Sequence, residues 1–310
     1  MMLRIAAIGD YLNYYSYFLY GVMEGAIRCG AWFRPISLFG NTLEDVRRQV
    51  NVFKPNIILC HCIFNKEPHS RDEIFDTFSM FRKRYGSVVF YHSGDARTVP
   101  RYPDDISKIV DFCLVNHSSL KVMEDKWKVP CFFWPYACLY QPDISKANPK
   151  FLADVAFTGY LSDSGHHADR LGFINSIKER VNVRLYPDED IVDTKFITDI
   201  ISASSKAVLG YQMGNDIPGY VDVRPYQYIG SGAMYIQDRH HNIDSVFVDG
   251  EHYVGFERGN VDSFIEMYEY YAIKNPDLGN EIRRSGFKYC QEKHSTAVRM
   301  RRVIDIYRKR

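Results

Sequence analysis

An arginine and a glutamine lie three residues apart, as Arg224 and Gln227, just before a glycine-rich turn and an apolar run. On a helix this spacing places both side chains on one face near the helix start. The free N–H groups of a helix start, together with a guanidinium, form a site for phosphate or diphosphate. Gly230 and Gly232 let the backbone turn tightly into a predicted buried strand at 233–236. The same pattern also fits an ordinary helix-to-strand corner that carries a surface arginine.

Other candidate ligand groups come directly after predicted strands, where open α/β sheets bind their ligands. They lie on short loops that contain Gly9, Asp10 and Tyr11; His61; His92, Ser93, Gly94 and Asp95; His117; Gly159 and Tyr160; Tyr211, Gln212 and Met213. Neither glycine loop has the GxGxxG spacing, and the chain contains no Walker lysine motif. The sequence therefore gives no support for a dinucleotide or ATP site of the usual kinds.

Strand and helix patterns alternate along the chain. Strands are predicted over 5–8, 33–38, 56–62, 88–92, 112–116 and 131–135, and helices over 14–29, 43–53 and 71–84. A polar stretch with two prolines follows at 141–150, and the alternation then begins again. Here strands are predicted over 154–159, 183–186, 206–211 and 233–236, and helices over 168–180, 193–204, 260–274, 280–292 and from 296 onward.

This alternation predicts an α/β protein with two Rossmann-like domains that face each other across a cleft. We place the N-terminal domain at 1–145 and the C-terminal domain at 150–295, with a helix at 296–310 that could cross back to the first domain. A chain of 310 residues is longer than a single core usually holds, which agrees with two domains.

Composition indicates a globular protein, with 46% hydrophobic residues, 25% charged residues and a formal net charge of +1. So small a charge gives no overall attraction to nucleic acid or anionic membranes. The chain opens into a strand pattern at Arg4, and no apolar run approaches the roughly 18 residues of a bilayer span. The basic tail around Arg299 and Arg308 is interpreted as a solvated helix face. We expect a cytoplasmic protein without integral membrane contact.

Seven cysteines, at 29, 60, 62, 113, 131, 138 and 290, are scattered through mostly apolar runs. An odd number in such positions predicts reduced core thiols. Cys60, His61 and Cys62 have a spacing that suggests metal binding, but alternate strand residues flank opposite faces and no second ligand pair follows. The sequence therefore predicts no metal site.

The stretch from Arg224 to Asp238 reads Arg-Pro-Tyr-Gln, then Gly-Ser-Gly, then a hydrophobic strand that ends in an acid. Related segments follow at 247–254, Gly286 and 294–299, and precede it at 154–159 with Arg170. Together these segments, over residues 130–305, resemble the nucleotide-sugar domain of GT-B fold glycosyltransferases of the spore-maturation-protein (CgeB-like) or group 1 type. The first domain resembles these enzymes only in its layout.

The resemblance implies transfer of a sugar from a nucleoside diphosphate sugar, with a UDP-sugar as the expected donor and no metal cofactor. In such enzymes a helix dipole and basic side chains stabilise the leaving phosphate, a role that falls to Arg224. The family's glutamate, which binds the ribose, is replaced here by the uncharged Gln227. The implied donor contacts are Gly9, Asp10, Gly159, Tyr160, Tyr211, Gln212, Arg224, Tyr226, Gln227 and Tyr228.

An inverting transfer also needs a base that deprotonates the acceptor hydroxyl. Asp95 and His92, which follow an apolar strand of the first domain, are the candidates, and Asp10 comes next. Asp95 would also suit a turn cap and His92 a core position. A retaining enzyme needs no such base, and the sequence leaves the stereochemistry open.

Three functions are compatible with these features. The first is a glycosyltransferase whose acceptor is a glycan, a lipid-linked sugar, a small molecule or modified DNA. DNA would require a basic first-domain face, for which Arg97, Arg101, Lys108 and the tail are the hints. The second is a nucleotide-sugar-binding protein without turnover, marked by Gln227. The third is a sugar-nucleotide epimerase of the same architecture, which needs acid–base residues on both faces of the sugar.

Overall fold

The structure, a computed structural model, divides the chain into two compact units. It describes residues 2–9, 16–38, 40–61, 63, 69–93, 105–139, 142, 147–163, 167–187, 197–213 and 216–310. Unit 1 comprises Met1–Pro135, Ile217–Tyr220 and Thr296–Arg310, and unit 2 comprises Tyr136–Asp216 and Val221–Ser295. The division falls at Pro135, ahead of the expected linker at 141–150. The segment Ile217–Tyr220 joins unit 1 because Ser118 donates its N–H to the carbonyl oxygen of Pro218 at 2.9 Å.

Unit 1 is built on a parallel sheet whose described strands have the order β2-β1-β3-β4-β5-β6. The strands are β1 (Arg4–Gly9), β2 (Trp32–Ser37), β3 (Ile57–His61), β4 (Val88–His92), β5 (Phe112–Val115) and β6 (Cys131–Phe133). The helices are α1 (Ser16–Arg28), α2 (Leu43–Phe53), α3 (Arg71–Tyr85) and α4 (Leu120–Trp127). Central strands β3 and β4 are buried along their whole length, as continuous apolar runs in a covered parallel sheet should be. Capping boxes at Thr42 and Ser70 begin α2 and α3.

Unit 2 is built on a second parallel sheet, whose described strands have the order β11-β10-β9-β7-β8. The strands are β7 (Ala153–Thr158), β8 (Val183–Tyr186), β9 (Ser205–Gly210), β10 (Tyr235–Asp238) and β11 (Val254–Phe256). The helices are α5 (Ala168–Lys178), α6 (Thr198–Ser204), α7 (Val223–Ile229), α8 (His241–Asp244), α9 (Val261–Tyr268) and α10 (Pro276–His294). The helix expected over 260–274 is α-helical only to Tyr268 and continues as a π-helix over Glu269–Lys274.

The last helix, α11 (Thr296–Arg308), packs against α1 in unit 1. A Cβ on Gly25 would lie 2.5 Å from Cγ of Met300, so only glycine permits this close approach. Met300, Val303 and Ile304 of α11 are buried in the same cluster as Ile5 of β1. Among the residues that the structure describes, no helix is both long and apolar enough to cross a bilayer.

Candidate active site

The carboxyl ends of β7 and β9 form the topological switch point of the second sheet. β8 lies on one side of β7, whereas β9, β10 and β11 lie on the other. A reversal of strand order opens a crevice at the carboxyl ends, where doubly wound sheets bind ligands. β7 ends at Thr158, just before Gly159, and β9 ends at Gly210, just before Tyr211. The fold thus brings two of the predicted donor-site loops to neighbouring strands.

Arg224, the second residue of α7, spans this switch point. Its Nη1 lies 3.5 Å from the carbonyl oxygen of Thr158, and its Nη2 lies 3.2 Å from that of Tyr211. The guanidinium carbon also lies 5.6 Å from the centroid of the Phe157 ring. Only 9% of Arg224 is exposed. The guanidinium therefore braces the ends of two neighbouring strands.

Asp222 both begins α7 and carries the counter-charge of Arg224. Its carboxylate accepts the backbone N–H of Arg224 at 2.7 Å and the Nε–H at 3.0 Å, and it also pairs with Nη2. Burial opposes the charged form of Asp222, but the Arg224 charge holds the pKa of this carboxyl below its usual value. Burial likewise opposes the charge of Arg224, whose pKa is nevertheless raised, mainly by Asp222. Arg224 was expected as a phosphate contact, and this buried partner was not foreseen.

Gly159 lies against the same guanidinium. Its φ is +145°, a backbone conformation that is essentially restricted to glycine. A Cβ built here would lie 3.4 Å from Nη1 of Arg224 and 3.4 Å from Cζ of Phe157. The absent side chain therefore leaves room for the arginine to approach the backbone at the strand end.

A second ion pair, between Asp238 and Arg258, fixes the loop that follows β9. One oxygen of Asp238 accepts the backbone N–H of Gln212 at 2.8 Å, and the other accepts from Arg258. Arg258 also donates to the carbonyl oxygen of Gln212 at 2.8 Å and lies 4.4 Å from the Tyr211 ring centroid. The Tyr211 hydroxyl donates to Asp169 at 3.1 Å. Tyr211 and Gln212 are therefore held on several sides.

Gln212 connects the two ion pairs. Its Oε1 accepts the backbone N–H of Asp222 at 3.1 Å, while its own N–H binds Asp238. Burial raises the pKa of Asp238 to about 6, although Gln212 and Arg258 favour its charged form. Arg258 was not among the predicted residues because it follows β11 in a stretch without a motif. Only its position in the fold brings it to the site.

The predicted contacts on α7 divide between the core and the site. Tyr226 is fully buried, with its ring 5.4 Å from that of Phe247, so it packs in the core. Tyr228 is buried as well and stacks on Tyr235, with ring centroids 6.4 Å apart. Gln227 is only 6% exposed, yet its amide forms no hydrogen bond within the described residues. Of these three side chains, Gln227 is the one with polar groups to offer a ligand.

Tyr160 is the most exposed of the predicted donor contacts, at 69%. Its carbonyl oxygen accepts from Nη1 of Arg170 at 3.1 Å. Arg170 is buried, and its guanidinium carbon lies 5.8 Å from the centroid of Phe157, the ring that Arg224 also covers. Three arginines, at 170, 224 and 258, therefore lie around the carboxyl ends of this sheet.

His240, which follows β10, presents a fixed hydrogen-bond donor near Asp222. Its Nδ1 accepts the backbone N–H of Ile243 at 3.3 Å, so the ring proton must lie on Nε2. That Nε2 is buried and has no hydrogen-bond partner within the described part of the chain. Burial lowers the pKa of His240 to about 4 and keeps the ring neutral, although Asp222 favours the charged form.

In unit 1 the switch point lies between β1 and β3, which end at Gly9 and His61. His92 ends the neighbouring strand β4, and its Nδ1 lies 3.0 Å from Nδ1 of His61. Two other residues predicted for this region, Asp10 and Asp95, lie outside the described residues.

The geometry of the histidine pair assigns its protons. Nδ1 of His61 also lies 3.1 Å from the carbonyl oxygen of His92, which can only accept. His61 therefore donates from Nδ1, and His92 accepts at Nδ1 and keeps its proton on Nε2. Burial lowers the pKa of His61 to about 4, and it holds the pKa of His92 well below its usual value. His92 in this arrangement is a neutral hydrogen-bond donor, a form that does not suit the predicted role of base.

No cluster of three His, Cys, Asp or Glu side chains that could hold a metal ion occurs in the ranges described above.

Residues 192–305 match a family model described as glycosyl transferase-like. The matched segment contains Asp222, Arg224, Gln227, Asp238 and Arg258, which are most of the polar side chains around the second switch point. A comparison with the sequences of curated proteins gives no significant match.

The fold of the whole chain is similar to that of solved glycosyltransferases. The superposition on HepE of Anabaena, solved with UDP and glucose, covers 100% of both chains, with a TM-score of 0.62 and 8% identity. The superposition on the DNA-modifying enzyme β-glucosyltransferase covers 99% of this chain and 100% of that enzyme, with a TM-score of 0.61 and 12% identity. T4 phage BGT in complex with UDP-glucose covers 99% of each chain, with a TM-score of 0.60 and 14% identity. The predicted GT-B architecture is thereby confirmed.

Proposed function

We propose that this chain, a glycosyltransferase of the GT-B fold, transfers the sugar of a UDP-sugar to a hydroxyl group of its acceptor. The donor would bind in unit 2, at the carboxyl ends of β7 and β9. HepE and T4 phage BGT were solved with UDP or UDP-glucose, which supports a uridine nucleotide as the donor class. A glycan, a small molecule and modified DNA are the acceptor classes we propose.

The observation that carries this proposal is the position of Arg224. Its guanidinium lies at the switch point, in contact with the carbonyl oxygens of Thr158, which ends β7, and of Tyr211, which follows β9. It also belongs to the segment that matches the glycosyl transferase-like model. A cation at the carboxyl ends of an open α/β sheet is suited to an anionic ligand.

The surrounding residues would each bind a different part of the nucleotide-sugar donor. Gly159, Tyr211 and Gln212 end the two strands, where the backbone can approach the nucleotide closely. The Gln227 amide, which can both donate and accept, would bind ribose hydroxyls. The exposed ring of Tyr160 would cover the donor from the loop after β7, and the buried Tyr226 and Tyr228 would support α7 from beneath.

This reaction requires stabilisation of the negative charge on the leaving diphosphate. Negative charge develops there as the glycosidic bond breaks, and preorganised donors lower the barrier most. Arg224 and Arg258 are each paired with one buried carboxylate and also bind carbonyl oxygens, so both are held in place before the donor arrives. We propose that these guanidinium groups, with Arg170, stabilise the diphosphate without a divalent cation.

For an inverting transfer we propose Asp95 as the base that takes the proton of the acceptor hydroxyl. In the sequence, Asp95 lies three residues after His92, the last residue of β4. His92 is not proposed for this role, because its lowered pKa and its contact with His61 disfavour acceptance of a proton. Gly9 and Asp10 would contribute from the end of β1.

The donor site can be tested by the melting temperature in the presence of nucleoside diphosphates and nucleotide sugars, with and without EDTA. A ligand in hundredfold excess over its Kd adds about 2.7 kcal/mol to the stability of the native state. We expect UDP and UDP-sugars to raise the Tm of the wild type equally with and without EDTA. Arg224→Lys keeps the charge but loses the planar fork, and it should lose most of this shift.

The matched control is Arg284→Lys, an exposed arginine on α10. It should respond to UDP as the wild type does. A wild-type protein that no nucleotide stabilises would overturn the donor site, and a shift that EDTA abolishes would overturn the metal-free proposal.

Turnover distinguishes an enzyme from a protein that only binds nucleotide sugars. Release of UDP from the stabilising UDP-sugar, followed with and without added acceptors, should exceed that of the Arg224→Lys variant. Tight binding without release of UDP in any mixture would favour a binding protein.

A further inference from the structure

Unit 1 exposes basic and large apolar side chains together, at the junction of α1, β2 and α11. Ile27, near the end of α1, is 58% exposed, and Trp32, the first residue of β2, is 59% exposed. Arg28, Arg301, Arg302 and Arg308 are exposed as well. We call these six residues the basic patch.

Most members of the basic patch lie near Cys29, and Arg302 directly follows Arg301 in α11. The Cys29 thiol lies 3.6 Å from the carbonyl oxygen of Ala297, which places the end of α1 against α11. Burial raises the pKa of Cys29, and the nearby charges of Arg301 and Arg308 oppose that shift. Ile27 and Arg28 directly precede Cys29, and Trp32 follows it after a tight turn at Gly30, whose N–H binds the carbonyl oxygen of Ile27 at 2.9 Å.

Basic side chains outnumber acidic ones at the basic patch, where Asp305 of α11 is an acidic neighbour of Cys29. The chain as a whole has a formal net charge of +1, yet its last ten residues hold five basic side chains and one acidic side chain. Within the described residues, the guanidinium groups of Arg301, Arg302 and Arg308 form no ion pair or hydrogen bond. These cations are therefore available to an anionic partner.

We propose that the basic patch docks the protein on the surface of an anionic lipid membrane. Clustered arginines attract acidic headgroups, while tryptophan and isoleucine side chains can enter the boundary between headgroups and acyl chains. The phosphates of nucleic acid would also attract the arginines, but a duplex offers no apolar layer for Ile27 and Trp32. Because the basic patch belongs to unit 1, this inference does not depend on the donor site of unit 2.

Sedimentation with vesicles tests the proposal. We expect the wild type to bind vesicles of phosphatidylglycerol and phosphatidylcholine in equal parts, to dissociate at high salt, and to leave pure phosphatidylcholine unbound. Each basic residue near such a surface contributes about fivefold to binding, so Arg301→Gln with Arg302→Gln should weaken it roughly 25-fold. Trp32→Ser should weaken it roughly tenfold through lost apolar burial.

The matched control is Arg284→Gln with Lys288→Gln, which removes the same charge from an exposed face of α10 in unit 2. This control should bind vesicles as the wild type does, and melting curves will establish that every variant is folded. Absence of binding to anionic vesicles, or equal losses in the control, would overturn the proposal. Binding to a DNA duplex but not to vesicles, lost in Arg301→Gln with Arg302→Gln, would overturn it in favour of nucleic acid.

Discussion

The carboxylate of Asp222 and the guanidinium of Arg224 form a buried ion pair, two residues apart, at the start of α7. The same carboxylate accepts the backbone N–H of Arg224 at 2.7 Å, so one side chain caps the helix and neutralises the arginine. A diphosphate at the switch point would approach a guanidinium that Asp222 already holds in place. Asp222 therefore orients Arg224, and at the same time it competes with any anionic ligand for the arginine.

Removal of the Asp222 charge should destabilise the protein and strengthen its response to nucleotide. Asp222→Asn leaves Arg224 buried without a counter-charge, which costs about 3–5 kcal/mol of unfolding free energy. UDP would supply the missing negative charge, so we expect a larger rise in Tm with UDP than in the wild type. Urea denaturation and melting curves measure the two effects. The double variant Asp222→Asn with Arg224→Gln has no unpaired charge, so it should lose less unfolding free energy than Asp222→Asn alone. Equal losses in the two variants would contradict the unpaired charge as the cause.

A methyl group at position 159 should disturb the site through both backbone strain and crowding of Arg224. Gly159→Ala places a side chain at a φ of +145°, at a cost of about 1–3 kcal/mol, and 3.4 Å from Nη1 of Arg224. We expect a lower Tm and a smaller shift with UDP. Gly172→Ala is the control, because this exposed glycine of α5 has open space around it and should gain about 0.5–1 kcal/mol. Equal behaviour of the two variants would refute the role assigned to Gly159.

Asp238 should make the protein less stable as the pH rises from about 4 to about 6. Its folded pKa of about 6 exceeds the unfolded value of about 3.9, so the folded protein holds this proton more tightly. The raised pKa of Asp238 contributes about 3 kcal/mol to the unfolding free energy below pH 4. This contribution is lost as the pH rises through 6. The unfolding free energy of the wild type relative to Asp238→Asn, measured in urea across this range, should fall accordingly. A constant difference would disprove the shifted pKa.

His61 should produce the opposite trend in nearly the same range. Burial lowers its pKa to about 4, whereas the unfolded imidazole binds a proton near pH 6.5. The lowered pKa of His61 contributes about 3 kcal/mol to the unfolding free energy above pH 6.5. This contribution is lost as the pH falls toward 4. We expect His61→Asn to reduce this acid sensitivity in urea titrations, whereas Asn in place of the exposed His241 should leave it unchanged. Reduced acid sensitivity in His241→Asn but not in His61→Asn would show that His61 is not the group that causes it.

The alternation of strands and helices was readable from sequence because parallel strands covered on both faces are continuous apolar runs. The strand predicted at 88–92 is such a run and matches the fully buried β4. The strand predicted at 183–186 matches β8, an edge strand that is only partly buried. The π-helix at Glu269–Lys274 was not foreseen, since its residues continue an ordinary helical pattern and only the hydrogen-bond spacing differs.

The candidate site was only partly predictable, for a different reason. Arg224, Gly159, Tyr211 and Gln212 follow the strand-end rule, and the fold places them around one switch point. Arg258 reaches the same point from beyond β11, by a pairing with Asp238 that spans 20 residues and leaves no local pattern. Contacts between side chains distant in sequence depend on the packed fold, which spacing rules do not describe.

The position of α11 has a consequence for synthesis on the ribosome. Met300, Val303 and Ile304 fill the core against β1, yet they are translated after the whole of unit 2. The first sheet must therefore emerge with an uncovered apolar face and wait until residue 308 has been released. We expect this nascent sheet to depend on chaperones during translation, and unit 1 to complete its folding only after unit 2 has been translated.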